Sequence, residues 1–318
     1  MLGLDVEVDG DVVHGRPSRA LDWLAVTRSM INRNPAGQQS RTDPGTGSAT
    51  LPPAGLDRQR ELADFLRRRR AQIAPEQAGL PAPTGHRRTP GLRREELAAL
   101  SGISVDWYIR LEQGRAERPS PSVLDSLAGA LQLTPDERSH LYALARSEQP
   151  PLHQPAAETV DPSMQRILHS LADDVAAYVL GRRWDVLAWN RAACELLVDF
   201  DALPPARRNL IELTFLDAAM RDRYLDWQLV ARSTLANFRA AVARNLEQPE
   251  TAALVDHLRT TDAHFMEWWN LHEVQEKTAG VKRFRGPDRT SFEMRYESVL
   301  SPTAPDQRLI IYTAVAES

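Results

Sequence analysis

The chain has 318 residues with a formal net charge of −4, and 26% of its residues are charged. This length allows two domains and a tail, and the negative balance argues against a protein that coats nucleic acid nonspecifically. The single cysteine excludes an internal disulfide framework and is typical of a reducing compartment. No apolar run approaches the roughly 20 residues that span a bilayer, and no signal sequence opens the chain. We therefore expect a cytoplasmic protein without a membrane partner.

Residues 1–55 differ from the rest of the chain, because small and polar residues dominate their second half. Such a composition cannot bury a core, so we predict a disordered extension and assign it no function. Met30 offers an alternative start. Residues 56–147 carry fifteen arginines against twelve acidic residues, a net charge of +3, whereas residues 148–318 carry −6. This asymmetry predicts a basic nucleic-acid-binding domain joined to an acidic domain that does not touch nucleic acid.

Five stretches of the basic segment have apolar residues at helical spacing, and they predict five short helices. These are residues 56–73, 94–100, 104–114, 119–131 and 134–146. Gly102 lies at the sharp turn between the second and third helices, where glycine accepts a positive φ without strain. Small Ala98, Gly102 and apolar Tyr108 and Leu111 have the spacing of a helix-turn-helix. An ordinary helical hairpin shares only the glycine turn, so we predict a lambda-repressor-like DNA-binding domain.

The acidic segment has a different order of elements. After a proline-rich linker over residues 148–162, a second domain begins at residue 163 with a helix and a strand hairpin over residues 176–180 and 184–189. Helical patterns follow over residues 209–216, 218–246 with a break, and 251–269, and three strands close the chain at residues 274–284, 291–300 and 308–315. This order predicts an α+β domain, with a PAS-like antiparallel sheet and a large helical insert. The chain as a whole is expected to be mainly α.

The first helix contains a run of four arginines that is mostly a solvated face. We expect one of them, Arg69, to pair with Glu112 and so tie the first helix to the end of the third. The loop that follows carries His86, Arg87 and Arg88, for which phosphate contact and simple solvation remain equal alternatives.

No sequence pattern indicates catalysis. The chain lacks a nucleophile motif, a phosphate loop and paired carboxylates, so we expect neither an enzyme nor a cofactor. His257, His264 and His272 lack the i, i+4 spacing of a helical metal site, and no metal is predicted. Cys194 lies on an apolar helix face and is expected to be a buried small hydrophobic residue.

Three segments, GLRREELAALSGISVDWYIRLEQGR, VLAWNRAA and RLIIYTA, resemble the MmyB-like transcription regulators. These are bacterial proteins with an Xre-type helix-turn-helix domain and a C-terminal ligand-binding domain of PAS-like fold. The turn motif alone indicates only the broad repressor superfamily, whereas the long loop ending in RRTPG and the WNRAA motif indicate the narrower family. The resemblance covers residues 56–318 and implies DNA-binding transcriptional control with a fatty-acid-like ligand.

In the fold that this resemblance implies, the second helix of the motif enters the major groove of double-stranded DNA. The residues that fall on its base-side positions are Ser104, Val105, Asp106 and Arg110, and Trp107 lies beside them. Arg110 is suited to guanine, Asp106 to cytosine and Val105 to a thymine methyl group. For Trp107, packing against the long loop is an equal alternative to DNA contact. For Asp106, the alternatives to a base contact are capping the helix and orienting Arg110.

Arg94, at the start of the preceding helix, is expected to contact a phosphate, with Arg93 and Arg115 as weaker candidates. The family commonly pairs half-sites, so we expect a homodimer. The operator and the sense of regulation are not predictable from the sequence.

The second domain is rich in aromatic residues, five of the seven tryptophans among them, and large flat side chains line pockets for apolar ligands. The candidate ligand-binding residues are Tyr178, Trp189, Phe215, Trp227, Phe238, Trp268 and Trp269, with His272 as a candidate for binding a carboxylate head group. The alternative for these aromatic residues is an ordinary place in the core, where most aromatic residues of any fold lie. His272 has the same alternative, as a core residue with satisfied hydrogen bonds. The domain has a second possible role, which is dimerisation or protein binding without a pocket.

Overall fold

The computed structural model describes residues 57–81, 91–116, 119–145, 158–243, 246, 248–286 and 288–315. Three features named above lie outside the described residues. They are the N-terminal extension over residues 1–55, the cluster of His86, Arg87 and Arg88, and most of the linker over residues 148–162. Within the described ranges, every helix is too short or too polar to cross a bilayer.

The first domain is a bundle of five helices, as predicted. They are α1 (Arg58–Gln72), α2 (Arg94–Ser101), α3 (Val105–Glu112), α4 (Pro121–Ala130) and α5 (Pro135–Ala145). Side chains cap the helix starts, because Asp57 accepts from Gln59 N and Ser120 from Val123 N. Phe65 lies in the centre of the bundle and is fully buried.

The turn between α2 and α3 has the predicted geometry. Gly102 has a φ of 66°, and Ile103 N donates to the carbonyl oxygen of Ala98 at 3.0 Å. Ala98 is fully buried where α3 passes over it. The hydroxyl of Ser104 accepts from Trp107 N at 3.2 Å and thereby caps α3. The predicted helix-turn-helix spacing is confirmed.

The second domain contains one five-stranded sheet and seven α-helices among its described residues. Its elements are α6 (Pro162–Ser170), β1 (Ala176–Leu180), β2 (Val186–Trp189), α7 (Arg191–Leu196), α8 (Leu210–Leu216), α9 (Ala218–Arg223), α10 (Trp227–Val242), α11 (Pro249–Thr261), α12 (Ala263–Trp269), β3 (Ala279–Arg285), β4 (Ser291–Leu300) and β5 (Arg308–Ala314). All four strand pairings are antiparallel, in the order β2-β1-β5-β4-β3. The predicted PAS-like sheet with a large helical insert is confirmed.

Strand β1 is buried on both faces, because side chains along a strand alternate between the two sides of a sheet. On one side, Tyr178 belongs to the main core under the helical insert. On the other side, Ala177 and Val179 pack with Leu168 of α6 in a smaller core. The sheet therefore has α6 on one face and the α7–α12 insert on the other.

Four boundaries differ from the sequence prediction. Strand β3 begins at Ala279 and not at residue 274, because Gln275 N and Lys277 N donate to α10 instead of to the sheet. Strand β2 begins after Trp184, because that residue has a φ of 67° and lies in the hairpin turn. The expected single helix before the last strands is broken at Asp262, whose side chain accepts from Phe265 N and caps α12. The second domain begins before residue 163, since the Gln307 amide donates to the carbonyl oxygen of Thr159 and accepts from Asp161 N.

The two domains pack against each other through α1 and α5 of the first and the end of α10 of the second. Arg239 of α10 pairs with Glu61 of α1 at 3.1 Å, and Glu276 N donates to the Asp136 carboxylate of α5 at 2.9 Å. The Arg69 guanidinium donates to the carbonyl oxygen of His272 at 3.2 Å. Helix α1 therefore contributes both to the core of its own domain and to the contact with the other.

Two glycines of the first domain are expected to respond in opposite ways to replacement by alanine, as measured by the free energy of unfolding. A Cβ at Gly91 would lie 2.4 Å from the carbonyl oxygen of Ala71, whereas a Cβ at Gly129 would meet nothing within 4 Å. We expect Gly91→Ala to lower the free energy of unfolding by about 1–3 kcal/mol. Gly129→Ala should raise it by about 0.5 kcal/mol through helix propensity. Urea denaturation of the full chain measures both, and equal effects would contradict the packing around Gly91.

Candidate functional site

The first turns of α3 present the predicted base-side residues on the surface. Ser104, Asp106 and Arg110 are exposed, and residues 106 and 110 share one face because they are four positions apart. Val105 and Trp107 are half-buried and pack against the core. The face therefore offers two charged side chains of opposite sign, with one branched and one aromatic residue at its edge.

The candidate phosphate contacts flank this face. Arg93 precedes α2 and Arg94 begins it, while Arg115 follows α3, and all three are exposed. Arg115 N donates to the carbonyl oxygen of Arg110 at 2.8 Å, which fixes the backbone just after the helix.

The C-terminal end of α3 is held by a buried carboxylate. Glu112 is 1% exposed, and it accepts from Arg70 Nε at 2.6 Å, Arg94 Nε at 2.6 Å and the Tyr108 hydroxyl at 2.7 Å. Arg70 also donates to the carbonyl oxygen of Leu92 at 2.7 Å. One carboxylate thus connects α1, α2 and α3, and it holds the C-terminal end of α3 against the other two helices.

The partner of Glu112 in α1 is Arg70, and the expectation that it is Arg69 was wrong. Successive residues of a helix point about 100° apart, so only one of the two arginines faces α3. Arg69 points toward α5, where its guanidinium lies 2.6 Å from Glu137.

Protonation equilibria reflect this network. Burial by itself would raise the pKa of Glu112, but hydrogen bonds from Arg70, Arg94 and Tyr108 outweigh it and hold the pKa below its ordinary value. Burial, followed by the adjacent carboxylate, raises the pKa of Tyr108. Glu112 is therefore ionised at neutral pH, and Tyr108 is a neutral donor. Arg94 remains 48% exposed beside this pair, and its position is compatible with a phosphate contact.

A second candidate site is a cavity of about 50 Å³ between the sheet and α10. Tyr178, Trp184, Leu210, Tyr296 and Ile310 contribute apolar or aromatic surface to it. This volume holds a small polar group or a few water molecules and is far below the several hundred Å³ typical of ligand pockets. An acyl chain therefore requires the cavity to widen.

The charges around this cavity are all of one sign. Lys277, Lys282 and Arg308 line it, and none of the described lining residues is acidic. Lys282 Nζ donates to the Tyr312 hydroxyl at 2.9 Å and lies 4.8 Å from the Tyr296 ring centroid. Such a site favours an anion. The sequence analysis missed these three residues, although Lys282 shares a strand face with buried Phe284, and that was a usable signal.

Of the predicted ligand-binding residues, only Tyr178 lines this cavity. Three others pack against one another, with ring centroids 6.0 Å apart in all three pairs: Phe215, Trp227 and Trp268. The remaining four lie elsewhere. Phe238 and Trp269 are core residues, His272 lies at the contact between the domains, and Trp189 lines an open groove beside α7.

That groove has a volume of about 980 Å³ and mixes apolar with charged walls. Cys194 lines it and is half-buried, so the expectation of full burial was wrong. Burial is also the main cause that raises the pKa of its thiol. The possible ligand atoms of Cys194, Asp199 and Asp201 lie within 4.8 Å of one another. Both carboxylates are exposed, and we assign no metal to the group.

Removing the charge of Glu112 tests the network that holds α3. We expect Glu112→Gln to lower the free energy of unfolding by about 3 kcal/mol, because the buried Arg70 guanidinium loses its counterion. Glu95→Gln, at an exposed position of α2, is the matched control and should change it by less than about 0.5 kcal/mol. Urea denaturation of the full chain measures both variants. A Glu112→Gln variant as stable as the control would contradict this account.

Comparison with known families gives two matches. A helix-turn-helix domain matches residues 61–141, and the MmyB-like transcription regulator ligand binding domain matches residues 160–318. No curated protein matches the chain. The first match contains α2 and α3, and the second contains the whole five-stranded sheet. The chain therefore belongs to the MmyB-like transcription regulators, with a DNA-binding helix-turn-helix domain followed by a ligand-binding domain.

Proposed function

We propose that this protein is a bacterial, cytoplasmic regulator that reads a specific duplex through α3 and responds to a small acid with an apolar tail, such as a fatty acid. We propose no catalytic role. The observation that carries the proposal is the exposed α3 face, held by Glu112, in the same chain as a cavity with three cationic residues and no acidic one among the described residues that line it.

The base contacts follow from the chemistry of the α3 face. Arg110 is the proposed guanine contact, because a guanidinium makes two parallel hydrogen bonds to the guanine edge. Val105 is placed for a thymine methyl group, and Ser104 and Trp107 lie beside it. Asp106 is four residues before Arg110 and is suited to orient its guanidinium or to accept from cytosine. Its charge repels phosphates, which favours the orienting role.

The phosphate contacts are proposed for Arg94, with Arg93 and Arg115 beside it. Such contacts set the register on the duplex and carry no sequence information. We further propose a homodimer, since a single helix-turn-helix reads few base pairs and paired domains read two half-sites.

The proposed ligand combines a carboxylate with an apolar tail. Lys282, Lys277 and Arg308 suit the carboxylate, and the walls around Tyr178 and Trp184 suit the tail after the cavity widens. This assignment moves the proposed head-group contact from His272 to Lys282. The alternative is a domain used only for dimerisation, and it is favoured if no acid binds.

The DNA proposal is tested with a duplex selected by the full chain from a random pool. We expect Arg110→Ala to cost about 1–3 kcal/mol of binding free energy and to relax the preference at one base pair. Arg94→Ala should weaken binding to all sequences alike and reduce the salt dependence by about one phosphate contact. Fluorescence titration at several salt concentrations measures both effects. An Arg110→Ala variant with unchanged affinity and base preference would refute the proposed docking of α3.

The ligand proposal is tested by thermal unfolding of the full chain with decanoate and with the neutral analogue decanol. We expect decanoate to stabilise the protein, by about 2.7 kcal/mol at a hundredfold excess over its dissociation constant. Decanol should stabilise it less, because it lacks the charge that the three cations favour. Lys282→Met should reduce the effect of decanoate, whereas Arg295→Met, at an exposed position of β4, should not. Equal stabilisation by both compounds, or none by either, would contradict an acid-binding cavity.

A further inference from the structure

Helix α10 lies between the cavity and the DNA-binding domain. Ser233, Thr234 and Asn237 line the cavity, and their i, i+1, i+4 spacing places them on one helix face. Arg239 is two positions beyond Asn237, which is about 200° further around the helix axis. The same helix therefore touches the cavity with one face and turns Arg239 toward the first domain with the other.

Arg239 makes a buried ion pair across the domain contact. It is 2% exposed, and its Nη1 donates to Oε2 of Glu61 in α1 at 3.1 Å. The same nitrogen lies 3.2 Å from His272 Nδ1, while Nη2 donates to the carbonyl oxygen of Trp269. The guanidinium carbon lies 3.8 Å from the centroid of the Trp269 ring. We call Glu61, Arg239 and His272 the interdomain clamp.

Breaking the clamp is costly, because both charges are out of water. Glu61 is 8% exposed, so neither partner can exchange the other for solvent while the domains stay in contact. Burial lowers the pKa of Arg239 to about 10, with Glu61 opposing that effect, so Arg239 stays charged at neutral pH.

The segment after α12 is held to α10 by two hydrogen bonds. Lys277 N donates to the Asn237 side-chain oxygen at 2.9 Å, and Gln275 N donates to the carbonyl oxygen of Ala236 at 3.3 Å. Between these two residues, Glu276 N donates to Asp136 of α5 at 2.9 Å. Asn237 and Lys277 both line the cavity. Lys277 directly follows Glu276, which contacts the first domain.

We propose that α10 couples the cavity to the DNA-binding domain and that the interdomain clamp is the contact through which it acts. A guest that displaces the Ser233–Asn237 face shifts Arg239 relative to Glu61 and changes how α1 is held. Helix α1 carries this change to α3, because Arg70 of α1 pairs with Glu112. The regulatory role rests on the proposed function, whereas the coupling itself requires neither ligand nor operator.

Hydrogen exchange of the full chain, followed by mass spectrometry, tests the coupling without either partner. Asn237→Ala perturbs the cavity end of α10 by removing the hydrogen bond from Lys277 N. We expect it to speed exchange in α1 by at least about twofold, the lower end of the coupling between residues in contact. In a Glu61→Gln background, the same change should add nothing in α1, because the clamp is already open.

Two controls separate coupling from general loosening. Ser298→Ala also alters a cavity residue, but it lies on β4 and should leave α1 and α5 unchanged. Asp64→Asn removes an ion pair of α1 that lies within that helix, and it should not abolish the effect of Asn237→Ala. Exchange in α1 that does not change with Asn237→Ala, or that responds equally with and without Glu61, would overturn the proposal.

A parallel measurement with decanoate keeps the two proposals distinguishable. If decanoate slows exchange in β1 and β4, it must also change exchange in α1 of the wild type but not of Glu61→Gln. If decanoate has no effect anywhere, the proposed ligand fails while the Asn237→Ala result still decides the coupling.

Discussion

Two buried ion pairs on a single helix organise this protein. Near its start, α1 pairs Glu61 with Arg239 of the ligand-binding domain, and near its end it pairs Arg70 with Glu112 of α3. Charges without water need partners in fixed geometry, so each pair fixes the position of what it touches. Helix α1 is therefore the part of the DNA-binding domain to which both the recognition helix and the second domain are attached.

Contact between the domains rests on the buried Glu61–Arg239 pair and on hydrogen bonds from Arg69 to His272 and from Glu276 N to Asp136. Allosteric coupling requires a structural element with two packing states. A ligand shifts the balance between them only if its binding free energy differs between the two states. The widening that we propose for the cavity beside α10 would supply such a difference, because the cavity of about 50 Å³ is too small for an acyl chain.

Local signals account for what the sequence predicted well. Gly102 and Ser104 determine the turn and the cap of α3 through their own backbone and side-chain chemistry, and the order of elements predicts the PAS-like sheet. Long-range geometry accounts for what it missed. Neighbouring Arg69 and Arg70 have the same chemistry, and only the crossing of α1 with α3 selects Arg70. His272 follows an aromatic run, yet its position after α12 places it against Glu61 rather than in the cavity.

The central claim is that α1 fixes the DNA-binding domain against the ligand-binding domain. Distances between spin labels on Ser126→Cys in α4 and Glu250→Cys in α11, both at exposed positions and with Cys194→Ser as background, test it most directly. The account predicts one narrow distance distribution for the otherwise unchanged chain and a broad one after Glu61→Gln. A broad distribution with Glu61 in place would show that the domains are not held together and would contradict the account.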